Sequence, residues 1–233
     1  MIYDRSVTHA RDERAALCAL LDRTGPAGPT LCDGWRTADL AAHLVLRERR
    51  PDAAAGMLGG PLERRTRRLQ QDLTGRTAFP ELVQAIRTGP PRASVFGLPG
   101  MDERLNVVEY FVHHEDVRRA AADWQPRELS ASLADALWDR LKIARLILRK
   151  APVGVQLARD DKTPGGQQRA AAGRQGPERP ARIRAKAGTP VVTVTGTPAE
   201  LTLWVSGRTG AARVRLAGAE AGVTALSQPG WRH

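Results

Sequence analysis

Apolar positions recur at helical spacing through most of the first 150 residues and at alternating spacing through much of the remainder. Val7, Ala10, the stem of Arg14, Leu17, Cys18 and Leu21 share one side of a predicted helix over 4–23, which Gly25-Pro26-Ala27-Gly28-Pro29 stops. Thr30 to Trp35 reads as a tight connection whose Trp35 plugs into the core, and Thr37 reads as the N-cap of a helix over 38–50. Pro51, Pro61 and Pro80 suit the first turns of short helices, because a first-turn residue needs no N–H partner. Residues 61–72 are amphipathic, with Leu62 and Leu69 inward and Arg64, Arg65, Arg67 and Arg68 mostly outward, a solvated face before an anion site. A helix follows from Thr77 to Arg87, then a Gly/Pro loop over 89–100, a long helix over 102–122 and a last helix over 130–149, capped by Ser130 or Ser132. Leu133, Leu137, Leu141, Ala144 and Leu148 form its stripe. Four main helices with short extras and modest loops predict an up-and-down four-helix bundle over residues 1–150.

After Lys150 the period becomes that of strands. Residues 153–157, 181–185, 191–195 and 213–216 are predicted strands, and 197–206 a helix opening at Thr197. Residues 151–233 are therefore expected to form a small α+β domain, interrupted by a flexible basic insertion near 159–180.

Composition narrows the class. Hydrophobic content of 42% and charged content of 26% are those of a globular chain. No apolar run reaches the length of a membrane span and no signal sequence is visible, so a cytoplasmic protein with no membrane partner is expected. Cys18 and Cys32 are too few for a disulfide scaffold and read as thiols. The net charge of +11 invites a nucleic-acid reading. Its excess, however, is concentrated after residue 150, largely in the Gly/Pro/Gln-rich piece 159–186. That piece has no aromatic residue to stack on bases, so it reads as a solvated loop.

The chemistry gathers in the 102–122 helix. Glu109, His113 and Asp116 are four and three residues apart and return to one stripe, so a carboxylate and an imidazole one turn apart are placed to grip one ion. Zinc-like ions ask for at least one ligand more. Among the five histidines, His9, His43, His113, His114 and His233, His43 is the candidate, set beside Leu40, Ala41 and Leu44 on a short helix. Two imidazoles and one carboxylate would leave coordination positions open for catalysis, with Asp116 accepting the free ring N–H of a ligand histidine. His114 or Glu115 would then be available as acid or base. A buried Glu109–His113 hydrogen bond with no ion is the alternative reading of the same spacing.

Gly34-Trp35 with Asp39-Leu40 and His43, then Glu109-x3-His113-x2-Asp116, resembles the DinB-like metal-binding bundles of actinobacteria, the superfamily of mycothiol-dependent maleylpyruvate isomerase. The longer phrase from Leu31 to Leu44, with Arg47 to Asp52, is close to a subgroup described only as metal-binding. The likeness covers residues 1–150, and more weakly residues 151–233. It implies metal ligands at His43, Glu109 and His113, zinc as the usual ion, and mycothiol as a cosubstrate. Gly207-Arg208 resembles a pair in the isomerase's second domain, which implies a substrate-carboxylate role for Arg208; an arginine after a helix also serves as a dipole partner. The function so implied is a metal-dependent, thiol-using transferase or isomerase acting on a small electrophile. A metal-binding regulatory or structural module without turnover is the alternative.

Overall fold

The computed structural model describes residues 9–50, 63–91, 101–160, 181–228 and 231. The basic insertion expected near 159–180 lies, from residue 161 on, outside the described residues. The chain divides into two compact units, Met1–Gln125 and Pro126–His233.

The first unit is helical, with α1 His9–Thr24, α2 Thr37–Arg49, α3 Glu63–Arg76, α4 Phe79–Thr88 and α5 Met101–Arg118. Leu17, Cys18 and Leu21 of α1, Leu40 and Leu44 of α2, Leu82, Val83 and Ile86 of α4, and Tyr110 and Val117 of α5 make one buried cluster. The i, i+3, i+4 spacing of these residues gives each helix one apolar side to bury. Thr37 is not the N-cap of α2. Arg36 occupies that position and Asp39 accepts its backbone N–H at 2.9 Å, while the Thr37 hydroxyl donates to the Gly25 carbonyl and accepts from Gly28 N. The hydroxyl thus pins the Gly/Pro turn that feeds the helix.

The second unit begins earlier than the change of period suggests. The stripe expected to close the bundle, from Leu133 to Leu148, forms α6 Ala131–Arg140, a 3-10 turn Leu141–Ile143, α7 Ala144–Ile147 and a second 3-10 turn Leu148–Lys150. Ser130 caps it, accepting from Leu133 N at 3.2 Å. Its buried residues Trp138, Leu141, Ala144 and Leu148 pack with Val155, Leu157, Ile183, Val192 and Val194 of the sheet, so the boundary falls after Gln125 rather than at 150. An apolar stripe states that a face is buried and not which core receives it. In the bundle, α4 supplies the apolar side that this helix was expected to give.

The strands are β1 Gly154–Arg159, β2 Arg182–Lys186, β3 Val191–Gly196 and β4 Arg215–Ala217, in the order β2-β1-β3-β4. β1 and β3 are parallel, with Val155 beside Val192 and Leu157 beside Val194; β2 and β4 join antiparallel. α8 Pro198–Val205 opens where Thr197 accepts from Glu200 N, and α9 Glu220–Ser227, absent from the sequence reading, closes the unit. The fold is thus a helical N-terminal part followed by a small α+β part. No helix among the described residues is long and apolar enough to cross a membrane.

Candidate metal centre

α2 and α5 carry the side chains that the spacing singled out. Two turns of α5 bring Glu109, His113 and Asp116 onto one side of the helix, and α2 presents His43 to them. His43 Nε2 and His113 Nε2 each lie 3.3 Å from Glu109 Oε1. The two imidazole rings meet edge to face, 5.2 Å between centroids. One ligand atom from each of His43, Glu109 and His113 falls within 4.8 Å of the others. The donor set, two neutral-capable imidazole nitrogens and one carboxylate oxygen, fits a divalent ion of zinc type.

Asp116 is fully buried, and its Oδ2 lies 2.9 Å from His113 Nδ1. With Nδ1–H donating to this carboxylate, Nε2 is the nitrogen turned toward Glu109 and His43, and it is the one that carries the lone pair in the neutral tautomer a metal ligand needs. Two neighbours were not visible in the sequence. The Cys32 thiol donates to the same Asp116 oxygen at 3.2 Å, so that Cys32, His113 and Asp116 form a second donor group sharing His113. Arg47, one turn after His43, brings Nε to 3.3 Å from Glu109 Oε1 and donates through Nη1 to Asn106. Its spacing from His43 was the available signal; for Cys32, carried by the connection before α2, there was none. Trp35 is half-buried and leans on the His43 ring at 5.0 Å.

The charges of the cluster are strongly coupled. Burial raises the Glu109 carboxyl, but hydrogen bonds from His113 and His43, followed by the charges of His113 and Arg47, hold it well below the usual carboxylate range. Burial lowers His113, yet its bonds with Asp116, Cys32 and Glu109 outweigh that and hold the imidazolium well above its ordinary range. For His43 burial wins and the imidazole is shifted down. The metal-free cluster therefore keeps His113 as an imidazolium, with Nδ1–H donating to Asp116 and Nε2–H to Glu109.

His114 and Glu115 have other partners. His114 is buried with Nδ1 3.1 Å from Glu13, and Glu115 accepts from Arg118 at 2.8 Å and Arg119 at 2.6 Å. Arg208 belongs to the second unit, where its Nη1 donates to the Ser206 carbonyl at 2.7 Å.

Among curated proteins and solved structures none matches the chain. Residues 7–95 match the family described as mycothiol maleylpyruvate isomerase N-terminal domain. The matched stretch runs from α1 through α4 and includes His43, whereas Glu109, His113 and Asp116 lie beyond it. Over residues 7–95, then, the chain is similar to the mycothiol maleylpyruvate isomerase N-terminal domain, the superfamily that the sequence motifs resemble.

Proposed function

We propose that His43, Glu109 and His113 hold one divalent ion, zinc by donor chemistry, and that the protein is a transferase or isomerase using mycothiol on a small electrophilic substrate. The convergence of three ligand atoms within 4.8 Å, one of them on an imidazole oriented by a buried carboxylate, carries this reading. An ion bound there supplies acidification of a thiol, making it a nucleophile at neutral pH. Asp116 fixes the His113 ring by accepting the hydrogen bond of its Nδ1–H. Arg47 steadies the Glu109 carboxylate, and Trp35 shields one side of His43 from water. Arg208, held by Ser206, is assigned the substrate's carboxylate. The thiol cosubstrate and the reduced thiols of Cys18 and Cys32, which form no disulfide, suit the cytoplasm, and nucleic acid has no part in the reading.

Purified protein should contain about one equivalent of zinc. Replacing His43 by Ala should remove it, as read by plasma mass spectrometry. A screen of electrophiles with mycothiol should then show turnover in the wild type alone. Metal retained with no thiol-dependent activity would favour the regulatory or structural module. Stoichiometry unchanged by His43→Ala would end the metal reading itself.

A further inference from the structure

The run Leu141 to Lys150 has a second face that its core does not use. Leu141, Ala144 and Leu148 are buried, while Leu146, Ile143 and Ile147 are 59%, 57% and 46% exposed. These are three of the four large hydrophobic residues exposed among those described, and they sit within one and a half turns. The other four positions, Lys142, Arg145, Arg149 and Lys150, are all cationic and exposed, and no acidic residue occurs between Leu141 and Ala151. At about 100° per residue in the α turn and about 120° in the 3-10 turns, Arg145, Arg149 and Lys142 run along one flank of the outward side and Ile143 and Ile147, with Lys150 beside them, along the other, Leu146 lying between. Arg145 is fixed through a 3.2 Å bond from Nε to the carbonyl of Arg184 on the edge strand, and that strand adds exposed Arg182 and Arg184.

From this juxtaposition of an aliphatic triplet and a one-sign cationic flank, we propose that residues 142–150 dock the protein peripherally on an anionic lipid bilayer. A bilayer interface offers headgroup charge and acyl chain within a few ångströms of each other, matching the two flanks. A second copy of the same face would bring four cations against four. Nucleic acid would leave the aliphatic triplet in water, with no aromatic residue in the segment to stack on bases.

The full chain should co-sediment with vesicles of 30% phosphatidylglycerol in phosphatidylcholine and not with phosphatidylcholine alone, and should be released by salt. The variant K142Q/R149Q should bind about 25-fold more weakly, at about fivefold per charge. The triplet variant I143S/L146S/I147S removes only exposed side chains and should lose at least about tenfold, since insertion scales with buried apolar area. Absence of binding by the wild type would overturn the proposal. So would binding indifferent to both variants, preference for duplex DNA over the vesicles, or a wild-type dimer that the triplet variant dissociates.

Discussion

Glu48 shows how much polar structure the first unit buries around its site. It is 2% exposed, and its Oε1 takes hydrogen bonds from Arg14 at 3.1 Å, Asn106 at 3.2 Å and the Tyr110 hydroxyl at 2.6 Å. Asn106 also accepts from Arg47, which holds Glu109, so one polar seam runs from α1 to the candidate ligands. Glu48→Ala leaves a buried guanidinium without its countercharge, and urea unfolding should show a loss of about 3–5 kcal/mol. A change under about 1 kcal/mol would mean water takes over the role. His113 gives the pH dependence. Its folded value is raised, so in metal-free protein the stabilisation is full below the ordinary histidine range and is lost as pH rises through the folded value. The lowered His43 opposes this trend only slightly near pH 7, where the unfolded ring is still partly charged, and is neutral in both states by about pH 8. The urea midpoint of metal-free protein should fall from pH 7 to 9, and zinc, which needs the deprotonated ring, should reverse the slope. A metal-free midpoint that rises over that range would contradict an imidazolium held between Asp116 and Glu109.

Helices and strands were largely legible from period. The spacing that placed Glu109, His113 and Asp116 on one side of α5 needed only helix geometry, and the scarcity of histidine pointed to His43. What escaped was everything set by contact between distant segments. Cys32 meets Asp116 because a loop crosses α5, with Leu31 N bonded to the Asp116 carbonyl at 3.0 Å. Likewise, α9 has two buried residues, Gly222 and Leu226, too few to show a stripe. Close backbone approach is another such feature. Gly154 opens β1 where a Cβ would run into the Gly188 carbonyl oxygen, a backbone atom that cannot rotate aside. Gly154→Ala should cost about 1–3 kcal/mol in the second unit, in the range of other overpacked sites, without altering zinc stoichiometry. Full stability in this variant would show that the strand can part from the Gly188 turn at little cost.

At the scale of the whole chain, two separate cores divide the work. One packs Leu17, Leu40, Leu82 and Tyr110, and the other Trp138, Val155, Val194 and Trp204; every candidate metal ligand lies in the unit built on the first. The sequence placed the division at the change of period because a helix and a sheet look like different domains, whereas Trp138 and Leu148 bind helix and sheet into one core. Ligand binding stabilises only the state that holds the ligand, so zinc at 100 times its dissociation constant should add about 2.7 kcal/mol to the first core. The second should gain none directly. Hydrogen exchange with and without zinc separates the two: amides of α1, α2 and α5 should slow by about 100-fold where exchange follows global opening of that core, while those of β1 and β3 keep their rates. Equal slowing in both cores would show that they open as one cooperative body, and no slowing in α2 or α5 would place any bound ion somewhere other than His43, Glu109 and His113.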